Sequence, residues 1–200
     1  MANGEFNHRL SDFIVVARKL IPAEDCKNII ETYNGNSRWH WSMVGRDHGE
    51  VNLDHRKVQQ INISDPGLIS SGDKFSIMDR KVFNYAGMAR ETYIKTLQEK
   101  RNIEHVPDAS ADEGYMLLHY KEGYYFKEHA DDRGGMGRSL TLTLNLNEDY
   151  EGGLFRFLRG EFDVKLGTGD AVMFPSSFLF PHEVTEITSG ERYSIVTWFH

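Results

Sequence analysis

The apolar positions change rhythm several times along the chain, and each change marks an element. Phe13-Ile14-Val15-Val16 is an unbroken apolar run, read as a short buried strand closed by Arg18-Lys19 and Pro22. From Pro22 to about Tyr33 the spacing becomes helical: Cys26, Ile29, Ile30 and Tyr33 fall at i, i+3, i+4 and i+7. Pro22 suits the first turn and Asn34-Gly35 is a stop signal. Trp39, Trp41 and Met43 then alternate with polar residues, as a half-buried strand does. Gly45 to Arg56 is charged and lacks any apolar period. It reads as a mobile flap joining two strands, with a solvated hairpin loop as the plainer alternative. Val58, Ile61 and Ile63 restore strand texture before an Asp65-Pro66-Gly67 turn.

The longest helix is expected from Ser71–Asp73 to about Lys100. Phe75, Met78, Val82, Ala86, Ala89, Tyr93 and Leu97 form its apolar stripe at spacings of three and four. At a rise of 1.5 Å per residue it extends about 40 Å, enough to brace a whole sheet. Arg101 to Asp112 is a linker containing Pro107. From Gly114 onward the texture is β throughout. Candidate strands are Tyr115–Tyr120, Tyr124–Asp131, Ser139–Leu146, Gly153–Phe157, Phe162–Leu166, Ala171–Phe174, Pro181–Ile187 and Arg192–Phe199. That many short strands, separated by Gly, Asn and Asp clusters, predict two facing sheets. The expected class is α+β, mainly β: a jelly roll, or double-stranded β-helix, with the N-terminal helices on one outer face. One domain is expected over 1–200, with helical support and flap strands in 1–112 and the catalytic β core in 113–200.

Composition adds exclusions. Two hundred residues with 26% charged and 40% apolar residues suit one soluble core. No apolar run reaches the length needed to cross a bilayer, and the N-terminus lacks the parts of a signal peptide. A single cysteine, Cys26, cannot form an internal disulfide, which fits a reducing cytoplasm. The expectation is a cytoplasmic protein without membrane contact. A net charge of −7 argues against broad nucleic-acid binding.

The chemistry concentrates between Tyr120 and Arg192. On a strand, alternate side chains share a face, so His129 and Asp131 can reach one point. His182 arrives later, and Arg192 follows on the next strand-like segment. Two imidazoles and a carboxylate make the 2-His-1-carboxylate set favoured by non-haem Fe(II) oxygenases. Strand parity places Arg192, Ser194, Val196 and Trp198 on one face. With nine histidines, chance alone can supply a His-x-Asp pair, so the surrounding blocks matter. His8, His40, His48, His55 and His105 lie in polar stretches and read as surface residues. His119 faces away from Tyr120 on its strand, and terminal His200 is assigned nothing.

Those blocks are Leu118-His119-Tyr120-Lys-Glu-Gly123-Tyr-Tyr-Phe126 before His129, Arg133-Gly-Gly-Met-Gly137-Arg138 after Asp131, and Gly169-Asp-Ala-Val-Met-Phe-Pro175 leading to Phe180-Pro-His182-Glu-Val184. In order and spacing they resemble the Fe(II)/2-oxoglutarate dioxygenases, in the prolyl 4-hydroxylase-like branch. The resemblance covers Gly114 to Phe199, and the N-terminal part agrees only in its helix-then-strand layout. It implies His129, Asp131 and His182 as catalytic metal ligands for Fe(II), with 2-oxoglutarate and O2 as co-substrates and ascorbate as a further candidate cofactor. It implies Arg192 as the partner of the far carboxylate of 2-oxoglutarate, with Ser194 and Tyr120 helping. Asn145 stands where relatives carry another tyrosine, so the hydrogen-bond set departs from theirs. Arg138 matches a substrate-contacting arginine, and Trp198 is a candidate wall of the substrate end.

The implied reaction is hydroxylation of an unactivated C–H, with release of succinate and CO2. A prolyl residue in a peptide or protein is the first expectation for the substrate, and a free amino acid or small metabolite the second. A third reading, of another class, is a non-catalytic metal-binding cupin-like protein. Cupins use His-x-His with a downstream Glu, whereas Asp131 holds the second position here. A nucleic-acid demethylase is disfavoured because its second arginine would fall at Trp198.

Overall fold

Leu-Thr-Leu-Thr-Leu-Asn, at 140–145, shows how the architecture is built. Every one of its six residues is buried, so the strand is covered on both faces. Leu140, Leu142 and Leu144 pack into a core shared with the helices. The alternate residues Thr141, Thr143 and Asn145 therefore point to the other side. A computed structural model describes residues 8–45, 49–132 and 137–200 of the chain. Its elements begin with β1 (Val15–Ala17), α1 (Ala23–Tyr33), β2 (His40–Trp41), β3 (Arg56–Lys57), β4 (Gln59–Asn62), α2 (Pro66–Ile69) and α3 (Asp73–Lys95). The β core follows as β5 (Met116–Tyr120), β6 (Tyr125–His129), β7 (Leu140–Asn145), β8 (Tyr150–Gly152), β9 (Phe155–Phe157) and β10 (Phe162–Val164). It ends with β11 (Ala171–Pro175), β12 (His182–Val184), β13 (Ile187–Gly190) and β14 (Arg192–Phe199).

A seven-stranded sheet runs β1-β11-β7-β14-β5-β4-β2 and a five-stranded sheet runs β10-β9-β12-β6-β3. A small β13-β8 pair completes the set. All the pairings are antiparallel. This is the expected jelly roll. The helices lie on the outer face of the larger sheet: Cys26, Ile29, Tyr33, Val82, Ala86, Ala89 and Tyr93 share one core with Leu117, Leu142, Leu144 and Ile195. Between the sheets lies a second core of Leu118, Tyr120, Phe155, Phe157, Phe174, Val184 and Val196. Each such fully buried side chain contributes roughly 1.5–3 kcal/mol.

Several boundaries differ from the sequence reading, each for a local reason. The first apolar run splits into a 3-10 turn, Leu10–Phe13, and the short β1. The expected turn at Asp65-Pro66-Gly67 is instead a helix start, because the Asp65 side chain caps Leu68 N at 2.8 Å and Pro66 occupies the first turn. The long helix gives way to a π turn at Thr96–Lys100. The segment expected to run to Ile187 divides, with β12 in the five-stranded sheet and β13 pairing with β8. Of the expected flap, Arg46, Asp47 and His48 lie outside the described residues. Val44 and Glu50 on either side form an antiparallel bridge. Met1–Asn7 and 133–136 also lie outside the described residues. Among the described residues, no helix is long and apolar enough to cross a membrane.

Candidate metal centre

The strand expected to carry both His129 and Asp131 stops at His129, and Asp131 lies in the bend beyond it. Simple alternation is therefore not what unites them. Three elements meet instead: the end of β6, the bend after it, and the first residue of β12, where His182 lies opposite His129. One ligand atom from each of His129, Asp131 and His182 lies within 4.8 Å of the others. The Nε2 of His129 is 3.5 Å from Asp131 Oδ1, and the Nε2 of His182 is 3.6 Å from Oδ2.

Both rings are oriented by backbone. His129 Nδ1 lies 2.8 Å from the Lys127 carbonyl, and His182 Nδ1 lies 3.1 Å from that of Phe180. A carbonyl only accepts, so each Nδ1 carries the proton and each Nε2 presents a lone pair toward the carboxylate. The Thr141 hydroxyl donates to Asp131 Oδ2 at 2.7 Å and stands 2.8 Å from the Ser176 hydroxyl. Burial, reinforced by His129 alongside, pushes the His182 imidazole down to about 4 against the pull of Asp131. Burial works to raise the Asp131 carboxyl. Positive charge on the His182 and His129 rings, with the bond from the Thr141 hydroxyl, would hold the group below the usual carboxylate range, and where both rings are neutral that charge has to come from a cation. Two lone pairs and a carboxylate crowded into one buried spot repel unless a cation sits among them. The donor set therefore fits a divalent metal such as Fe(II).

The same cavity is lined by Tyr120, Arg192 and Ser194. Register brings them together: Arg192 pairs with Tyr120 across β5, and Ser194 pairs with Asn145 across β7. Arg192 is 1% exposed, yet among the described residues its Nη1 and Nη2 have no hydrogen-bond partner, and neither does Ser194 Oγ. Its Nε donates to Asn145 Oδ1 at 3.0 Å. Burial holds the Tyr120 phenol above its ordinary value despite Arg192 and Arg56 nearby, so it remains a neutral hydroxyl. A buried guanidinium with a free fork is costly unless an anion completes it, and a carboxylate matches that fork with two parallel bonds.

Toward solvent the cavity opens into a mouth lined by Met43, Val44, Gly45, Arg56, Phe126, Ala130, Arg138 and Trp198. Arg138 is held rather than free: its Nε donates to Glu113 Oε1 at 2.6 Å, its Nη2 bonds Glu113 Oε2, and its guanidinium lies 3.7 Å above the Trp198 ring. Trp198 Nε1 is buried and has no partner among the described residues.

Residues 115–200 match the family model described as the 2OG-Fe(II) oxygenase superfamily. A PKHD-type hydroxylase of Psychrobacter sp. (strain PRwf-1) is 46% identical over 74 residues, 35% of this chain and 28% of that protein. Another, of Parvibaculum lavamentivorans, is 40% identical over 89 residues, 42% of this chain and 40% of its own length. A third, of Idiomarina loihiensis, is 29% identical over 116 residues, covering 55% and 52%. The chain thus spans 28% to 52% of these curated relatives. Among solved structures it is similar to a Trichoplax adhaerens prolyl hydroxylase in complex with a hypoxia inducible factor oxygen degradation domain peptide fragment. The TM-score is 0.69 at 16% identity, over 94% of this chain and 84% of that one. A Pseudomonas putida prolyl-4-hydroxylase gives 0.64 at 18% identity, over 94% and 92%. At 16% and 18% identity these two solved structures show a shared fold.

Around the candidate metal centre, sequence reasoning missed Thr141, Ser176, Glu113, Phe126 and Arg56, all of which touch the site or a residue that lines it. His55, expected at the surface, is half-buried with its ring edge-on to Phe126 at 5.8 Å. A usable signal existed for Thr141 alone, since the Leu-Thr-Leu-Thr alternation announces a strand with a polar inner face.

Proposed function

We propose that this chain is an Fe(II)- and 2-oxoglutarate-dependent dioxygenase that hydroxylates a prolyl residue in a peptide or protein, releasing succinate and CO2. The observation that carries this reading is the free buried fork of Arg192 in the cavity where His129, Asp131 and His182 converge. In this reading the three side chains hold iron, and Arg192, Tyr120 and Ser194 take the far carboxylate of 2-oxoglutarate, with Asn145 holding the guanidinium in place. Bound iron and 2-oxoglutarate together supply the oxidation of an unactivated C–H, chemistry that belongs to the cofactor rather than to side chains. The protein's part is placement. Neutral His182 offers Nε2 without first losing a proton, and the Thr141 hydroxyl fixes one carboxylate oxygen. The apolar walls Phe155, Val184 and Val196 exclude water.

A peptide is favoured over a free amino acid by the state of the mouth. Arg138 is already neutralised by Glu113, so it offers little to a free α-carboxylate. The curated relatives are hydroxylases by name, and one structural neighbour holds a peptide.

The test is turnover of the iron-loaded chain with 2-oxoglutarate and either proline-rich peptides or free amino acids, following succinate and product mass. Succinate formation coupled to the gain of one oxygen on a peptide is expected. Oxygen gained by free proline alone would move the substrate to small metabolites. No 2-oxoglutarate consumption with any substrate would favour the metal-binding, non-catalytic reading.

A further inference from the structure

Between two matched pairs, β6 carries one residue more than β12. His129 lies opposite His182 and Phe126 opposite Val184, so Lys127 and Glu128 together face Glu183. Such a bulge breaks the two-residue alternation. It lets Phe126 and His129, three residues apart, turn to the same side, and their rings stack with centroids 3.5 Å apart and planes 16° apart. On its other flank β6 pairs with β3, and the register sets Arg56 opposite Phe126. The Arg56 guanidinium lies 4.5 Å from the centre of the Phe126 ring, within the range of a cation–π contact.

We infer that Phe126 is a positioning residue for His129, and that Arg56 acts on the metal centre through Phe126. A single hydrogen bond to the Lys127 carbonyl pins one edge of the His129 ring and leaves rotation about that edge open. A flat aromatic surface against the ring closes that freedom. His182 has no such dependence, because Phe155, Phe157 and Phe174 surround it at centroid distances of 5.9, 5.7 and 4.7 Å. His129 sits at a strand end, where Phe126 and His182 are its ring neighbours among the described residues. A ligand ring misaligned by more than about 10–20° loses much of its bond to the metal.

The inference rests on reading the site as a metal centre, and not on any substrate. The test is therefore Co(II) titration of the whole chain, read by visible absorption and calorimetry. Phe126→Leu is expected to weaken Co(II) binding about tenfold or more, the usual scale for supports of ligand residues, and to alter the Co(II) absorption bands. Phe126→Tyr, which keeps the ring, restores native affinity and bands. Arg56→Gln is about threefold more damaging to Co(II) binding in the native background than beside Phe126→Leu; the direct effect of its charge, which also lines the cavity with Asp131, is common to both backgrounds and cancels in the comparison. Metal-free thermal unfolding checks each fold. If Phe126→Leu does not fold, Phe126→Met takes its place in both arms. Native affinity with unchanged bands in the ring-less variant overturns the positioning role, and equal Arg56→Gln effects in both backgrounds overturn the coupling. If the unaltered chain takes up no Co(II), the metal reading falls and this inference with it. That failure is distinct from one in which native binding persists.

Discussion

Asn145 Oδ1 accepts a 3.0 Å hydrogen bond from the Nε of Arg192, deep between the two sheets. The Asn145 side chain is itself locked, because its amide donates to the carbonyls of Asn147, Leu166 and Gly167 at 2.7, 3.2 and 3.1 Å. The inner edge of the guanidinium is therefore fixed, and its two terminal nitrogens are presented to the cavity. An asparagine at this position does something a tyrosine cannot: its amide oxygen only accepts, so it orients the arginine without offering a proton to the anion that would arrive.

Arg192→Ala is expected to weaken 2-oxoglutarate binding about 100-fold, the loss of a charge-assisted bidentate contact. Asn145→Ala is expected to weaken it about tenfold by loosening the fork. Calorimetric titration of 2-oxoglutarate into the metal-loaded chain measures both. The metal-free stability of Arg192→Ala should hold or rise, since the substitution removes a buried charge that lacks full compensation. Unaltered co-substrate affinity would remove the clamp role from Arg192.

Asp131→Ala is expected to abolish turnover and the rise in unfolding temperature that metal brings, while leaving the metal-free fold intact. A ligand present at 100 times its dissociation constant adds about 2.7 kcal/mol of stability, which this variant should lack. Thr141→Val keeps the carboxylate but removes the 2.7 Å bond to it, and should weaken the metal about tenfold. Differential scanning with and without Co(II) reads both, and a full metal-induced shift in Asp131→Ala would refute the ligand assignment.

The helices, the β texture of the second half and the groups that converge on the cavity were legible because each has a local signature. Helical spacing marks Cys26 to Tyr33, and His-x-Asp lies within one turn of chain. Arg56 and Phe126 had none. Their contact depends on a two-residue strand, β3, too short to carry a period, and on pairing between positions 70 residues apart in sequence. The bulge in β6 also defeats parity reasoning, since alternation places Phe126 and His129 on opposite faces where the structure stacks them. Glu113 was invisible for the same reason, as a charged residue just past the linker whose partner, Arg138, comes from another loop.

Gly169 takes φ +78°, and a Cβ built there would stand 2.0 Å from the Ile21 carbonyl oxygen. Its backbone also ties two parts of the fold, donating to Asn145 O at 2.9 Å and accepting from Ile21 N at 3.0 Å. Gly169→Ala must therefore strain the backbone and push apart the strap that leads into α1. A loss of about 2 kcal/mol or more is expected, a drop of roughly 4–8 °C in unfolding temperature for a chain of this size. A change below one degree, read by thermal unfolding, would show that the strap yields freely.

His119, on the helix-facing side of β5, supplies a pH prediction independent of the metal centre. Its ring stacks on Tyr193 at 4.2 Å, and its Nε2 lies 2.8 Å from Glu191 Oε2. Burial lowers the imidazole from its ordinary 6.5, opposed by Glu191 and assisted by Lys121. A histidine whose folded pKa is depressed binds fewer protons in the native state than in the unfolded one. Its stabilising contribution is therefore complete above about 6.5 and declines as the pH falls below that value toward the folded pKa. His119→Gln keeps a polar group beside Glu191 but cannot take up a proton in this range. The unfolding temperature of the native chain minus that of the variant should thus be larger at pH 7.5 than at pH 5.5, measured without metal. A gap that widens on acidification would mean that Glu191 outweighs burial and that the folded imidazole is held above its ordinary value, the reverse of the assignment made from the stack.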